Sequence, residues 1–121
     1  MILADTSVWA DHLRRNDAML AALLDAKQIM MHTFVIGELA MEDLRPRQAI
    51  LGSLRALPHA DPVDYEEALV FIEEHRLFGS GIGYVDAHLL ASARLSSARL
   101  WTRDKRLNKA AIRLGLAYRP H

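Results

Sequence analysis

The chain has 121 residues, 51% of them apolar and 25% charged, with 15 basic residues balancing 15 acidic ones and no cysteine. That length suits one domain with a real core, the composition excludes a disordered chain, and the missing cysteines exclude disulfides, thiolate zinc sites and cysteine nucleophiles. No basic segment precedes the apolar start of "MILADTSVWADHL", and no uncharged run approaches the roughly 20 residues of a membrane span, so neither export nor membrane insertion is expected and the cytoplasm is the expected location.

In chain order, Ile2 to Ala4 reads as a short buried strand, and Thr6 or Ser7 as the cap of a helix carrying Val8, Trp9 and Leu13. A second helix is predicted over 18–26, and "QIMMH" as a strand ending near His32. Thr33 is placed to cap the helical segment "FVIGELAMEDL", and Pro46 to sit in the first turn of a helix through Ile50, Leu54 and Leu57. Asp64 caps a helix over 65–75, "GSGIG" breaks the pattern, and "YVDAHLLASARL" resumes it. "ARLWT" reads as a strand, Asp104 as the cap of a helix over 105–114 ended by Gly115, and 116–118 as a short last strand. Short apolar strands separated by helices imply a single α/β domain over 1–121: a central parallel sheet in a three-layer α/β/α sandwich. Ligands of such sheets bind at the carboxyl ends of the strands, where Asp5 and Asp104 fall.

The net charge of zero conceals a gradient. Between Pro58 and Ala93 seven acids face Arg76 alone, whereas from Arg94 to His121 eight basic residues face Asp104 alone. The basic third is a candidate track for a polyanion, or simply a solvated helix face.

Four carboxylates stand out. Asp5 directly follows an apolar strand, where a cap or turn is the ordinary role. Glu38 has Phe34, Val35 and Met41 at helical spacing, and Asp86 has Leu89, Leu90 and Ala93, so both acids fall on apolar stripes. Asp104 gains interest because it is expected to share a sheet edge with Asp5. If the four converge, their repulsion raises their pKa values and opposes folding unless cations hold them together. Oxygen-only donors suit Mg2+ or Mn2+, and such ions activate water and stabilise charge on a phosphoryl oxygen.

The set "ILADTSVW", "FVIGELA", "GYVDAHLLASA" and "LWTRDKRL", in that order over nearly the whole chain, resembles the PIN domain and in particular the VapC-type ribonuclease toxins of bacterial toxin–antitoxin pairs. The resemblance implies that Asp5, Glu38, Asp86 and Asp104 bind Mg2+ or Mn2+ and support RNA cleavage, with Asp5 and Asp86 as principal ligands. It also implies a homodimer, and inhibition by a small antitoxin that often inserts a basic side chain among the acids. Thr6 and Thr102 adjoin the matching acids, where a hydroxyl orients a carboxylate or merely caps. Relatives often carry a small residue soon after "ELA"; Met41, Glu42 and Asp43 stand here, with Glu42 expected to face solvent.

Two further features have ordinary readings. "GSGIG" lacks the spacing of a dinucleotide loop and reads as a tight turn into the Asp86 helix, and Trp9 and Trp101 read as core. Three rivals stand against the nuclease. A haloacid-dehalogenase-type phosphatase needs an acid where Ser7 stands, a receiver domain would cluster its acids differently, and a non-catalytic nucleic-acid binder would keep the acids as caps.

Overall fold

The computed structural model describes residues 1–119. Among them the chain forms three strands and seven helices: β1 (Ile2–Ala4), α1 (Thr6–Arg15), α2 (Ala18–Asp25), β2 (Ile29–Met30), α3 (Thr33–Ala40), α4 (Arg47–Arg55), α5 (Tyr65–Glu74), α6 (Tyr84–Leu95), β3 (Arg99–Trp101) and α7 (Lys105–Arg113).

The sheet is parallel throughout, in the order β2-β1-β3. β1 is its centre, and its three residues are all buried, which is why the segment has no polar alternation. Ile2 pairs with Ile29 on one side, and Ile2, Leu3 and Ala4 pair with Arg99, Leu100 and Trp101 on the other. The chain therefore leaves β2 and crosses to the far side of β1, opening a crevice beyond the carboxyl ends of β1 and β3. The predicted last strand is reduced to one bridge between Leu100 and Ala117, and Met31 makes a similar bridge to His59. Both are too short to add a strand.

Helices cover the sheet, giving the expected α/β fold. α1, α3 and α4 pack as one group, while α5 lies on α6 and α6 on β3. Leu3, Val35, Leu39, Leu90, Leu100 and Leu107 are fully buried, each such side chain contributing about 1.5–3 kcal/mol. α7 shows the logic at its simplest: Leu107, Ala110 and Ala111 form its buried stripe, and Lys105, Arg106 and Lys109 face out. No helix among the described residues is long and apolar enough to cross a membrane.

Two caps differ from expectation. Asp5 itself, not Thr6 or Ser7, caps α1, and His32, not Thr33, caps α3 by accepting the Phe34 N–H on Nδ1 at 3.0 Å. Asp64 and Asp104 cap α5 and α7 as predicted.

Candidate active site

Asp5 leaves β1 with its N–H still donated to the carbonyl of Trp101 at 3.0 Å, so the end of β1 is tied to the end of β3. Its side chain is buried. Oδ1 accepts from the Ser7 N–H (3.0 Å), the Val8 N–H (3.3 Å) and the Ser7 hydroxyl (2.6 Å), and Oδ2 accepts from the Thr102 hydroxyl. Burial pushes the Asp5 pKa up, and the hydrogen bonds from Ser7, Thr102 and Val8 oppose the rise without cancelling it.

The two hydroxyls are themselves oriented by the segment after β3. Thr102 Oγ1 accepts the Asp104 N–H at 3.0 Å, and Ser7 Oγ accepts the Arg103 N–H at 2.9 Å, which directs both hydroxyl protons at Asp5. Asp104 uses Oδ1 to accept the Leu107 N–H at 2.9 Å. The side chain of Arg103 turns the other way. It lies 5.6 Å over the Trp101 ring and reaches Asp11 (2.7 Å) and Asp17, fastening the loop to α1 and to the start of α2.

Glu38 comes from α3 and Asp86 from the first turn of α6. Glu38 was singled out on an apolar stripe, and that stripe is not the core face: Val35 and Leu39 are buried, while Phe34, Met41 and Glu38 itself are exposed. The acid instead reaches the first residue of α1, where Glu38 Oε1 accepts from the Thr6 hydroxyl at 2.6 Å. Asp86 does stand over buried Leu89, Leu90 and Ala93, and its Oδ2 accepts the Gly83 N–H at 3.2 Å. Burial raises the Asp86 pKa most, and the charges of Asp5, Asp104 and Glu38 raise it further against the Gly83 hydrogen bond. Three acids from three other segments thus act on the fourth, so the structure brings Asp5, Glu38 and Asp104 within electrostatic reach of Asp86.

No Lys or Arg neutralises the group: among the described residues no ion pair involves Asp5, Glu38, Asp86 or Asp104. Nor are they drawn into a closed cage, since among the described residues no three His, Asp or Glu side chains lie close enough to chelate an ion unaided. Glu38, Asp86 and Asp104 each keep one carboxylate oxygen free of protein donors. Glu42 is exposed, as expected.

The sequence offered Ser7 only as a helix cap and gave no special reading to Arg103. The first had a signal, two residues beyond Asp5; the second was one cation among many. The basic track also narrows. Arg94 donates to the Leu114 carbonyl, Arg99 to that of Gly115 and Arg113 to that of His75, while Arg103 is held by two acids. Lys105, Arg106 and Lys109 remain as exposed cations on α7.

The family model of the PIN domain matches residues 2–113. The chain belongs to the PIN-domain family. It is 46% identical over 118 residues to Ribonuclease VapC32 of Mycobacterium tuberculosis, in strains CDC 1551 and H37Rv alike, covering 97% of this chain and 95% of the relative. That likeness places this PIN domain with the VapC-type ribonucleases. Solved structures share its fold at lower identity. PAE2754 from Pyrobaculum aerophilum matches with a TM-score of 0.62 and 17% identity, over 94% of this chain and 88% of the other. FitAcB from Neisseria gonorrhoeae matches at 0.61 and 22%, over 93% and 94%. FitAB bound to an IR36 DNA fragment matches at 0.66 and 23%, over 100% and 99%.

Proposed function

We propose that residues 1–121 form one Mg2+- or Mn2+-dependent endoribonuclease domain, the toxin of a toxin–antitoxin pair, whose ion is held by Asp5, Glu38, Asp86 and Asp104. The observation that carries this reading is the charge environment of Asp86, which feels three other carboxylates while, among the described residues, no cation pairs with any of the four. The donor set fits a hard divalent ion: all oxygens, three of them free of protein donors, at a site whose charge otherwise opposes folding. When bound, such an ion activates water and stabilises negative charge on the phosphoryl oxygens.

The protein's own residues have separable tasks. Ser7 and Thr102 fix both oxygens of Asp5, and Thr6 fixes one oxygen of Glu38, so the carboxylates are aimed before substrate arrives. Exposure of Glu38 and Asp104 leaves the site open to a strand of RNA. Lys105, Arg106 and Lys109 offset the repulsion between that strand and the acids. A cognate antitoxin that places a basic side chain among the acids competes with the ion for the same oxygens. A homodimer working in the cytoplasm completes the proposal.

The test is cleavage of cellular RNA by the purified protein with Mg2+, with chelator, and with Asp5→Ala or Asp86→Ala. Cleavage is expected only from the parent with metal. Equal cleavage by the variants and indifference to chelator would overturn the nuclease; hydrolysis of small phosphomonoesters in place of RNA would make it a phosphatase; RNA binding without cleavage would make it a binding domain.

A further inference from the structure

Arg106, in the first turn of α7, does not reach into solvent unsupported. Its side chain lies across the turn that leads into α6. A Cβ placed on Gly81 would come within 2.9 Å of both Cδ and Nη1 of Arg106 and 3.3 Å of Cζ, so the arginine rests on bare backbone. Gly81 is also left-handed, at φ +85°, and therefore favours glycine on two independent grounds.

The placement matters because of what flanks it. Two residues before Arg106 is Asp104, and two residues after Gly81 is Gly83, whose N–H holds Asp86. The arginine thus spans the gap between the segments that carry two of the four acids. Its guanidinium nevertheless makes no hydrogen bond or ion pair with the protein among the described residues. Arg94, Arg99, Arg103 and Arg113 all do. A guanidinium with its stem seated and its planar fork of donors unused is suited to a phosphate, which it can grip in two places.

We propose that Arg106, held in place by the bare backbone of Gly81, binds a phosphate of the RNA strand as it enters the acidic site. This rests on the nuclease reading and adds to it the residue that grips the substrate. RNA is favoured over an acidic peptide because the guanidinium borders the site where the strand must be admitted among four negative charges.

The test is equilibrium binding of a fluorescent single-stranded RNA across a salt series, in an Asp86→Asn background that silences cleavage, with circular dichroism to confirm folding. Arg106→Ala is expected to weaken binding about tenfold, the size of one lost charge-assisted contact. The slope of log K against log salt should flatten by about 0.7, one phosphate's share for a single strand. Arg106→Lys should restore part of the affinity. Gly81→Ala should match Arg106→Ala, and the double variant should bind no worse than either. Gly79→Ala is the control, because Gly79 is left-handed as well (φ +71°) yet has nothing within 4 Å of an added Cβ. It should bind RNA as the background does.

Parental affinity and salt slope in Arg106→Ala would overturn the proposal. So would equal losses in Gly79→Ala and Gly81→Ala, which would reduce the effect to backbone strain. The nuclease reading fails separately, if the parent binds RNA through Arg106 and does not cleave it with Mg2+.

Discussion

The loop at 102–104 serves two groups of acids: the Arg103 side chain reaches Asp11 and Asp17, while Thr102 donates to Asp5, and Asp104 acts with Asp5 and Glu38 on Asp86. The first pair shares the guanidinium of Arg103, and among the described residues the second group shares no cation. The electrostatics follow. The carboxyl of Asp17 is held below its ordinary value by the Leu20 N–H and by Arg103, while those of Asp5 and Asp86 are pushed up, chiefly by burial. One loop thus separates a neutralised cluster, which holds structure together, from an uncompensated one. Only the second has anything to gain from an added cation, which is why the proposed metal site is placed there.

Asp86→Asn breaks the second cluster most sharply. Cleavage should fall on the order of 1,000-fold, the several kcal/mol expected when a metal-held transition state loses a ligand. Stability should move the other way. A carboxyl whose folded pKa is raised favours the fold below its ordinary value of 3.8 and loses that contribution as pH rises through the raised value. At pH 7 the variant is therefore expected to melt above the parent, since its amide oxygen still accepts the Gly83 N–H, and the advantage should vanish near pH 3.8. Melting curves at the two pH values decide it; a lower melting temperature at pH 7 would contradict the repulsion inferred for the site.

A buried imidazole has to be accounted for before acid melts are compared. Burial, with lesser effects from His88 and His59, lowers the His32 pKa from 6.5 to about 4, while its Nδ1 caps α3 and its Nε2 meets the Ser92 hydroxyl. A depressed histidine stabilises the fold above pH 6.5 and loses that contribution as pH falls toward 4, about 3 kcal/mol at 1.36 kcal/mol per unit. His32→Asn, which can still cap Phe34, should flatten the decline in stability between pH 6.5 and 4. An unchanged slope would assign the acid limb to other groups.

Breaking the neutralised cluster should do less. Arg103→Met removes two partly exposed ion pairs, together worth about 1 kcal/mol of stability at most. Because the same residue's backbone positions Ser7, and the loop carries Thr102 and Asp104, cleavage should drop about tenfold with little change in melting temperature, the size expected of outer support. Paired measurements of turnover and melting test this, and a loss of stability without loss of turnover would make Arg103 purely structural.

The sequence carried much of this design at the level of single elements. The placement of Asp86 over the core was legible because buried leucines recur three and four residues after it, and that of Asp104 because it opens a helix shortly after a strand. Glu38 was read on an apolar stripe that faces outward, so its place in the proposed site rests on the resemblance to PIN ribonucleases and on its bond from Thr6. The hidden parts are contacts between distant segments. Ser7 and Thr102 meet at Asp5, Arg103 reaches Asp17 across 86 positions, and Arg106 lies on Gly81. No periodicity records such pairings. His32 escaped for another reason, since an imidazole is an uncommon helix cap and its neighbour Thr33 is a common one.

The bond from Thr102 to Asp5 joins positions 97 apart. During synthesis Asp5 is made first and waits, without its second support and without Asp104, until β3 and the segment after it have been added. The proposed four-acid site is therefore incomplete in a growing chain until residues 102–104 are made. For a ribonuclease, made on a ribosome and from a messenger, that order of assembly sets the proposed site late in its own synthesis.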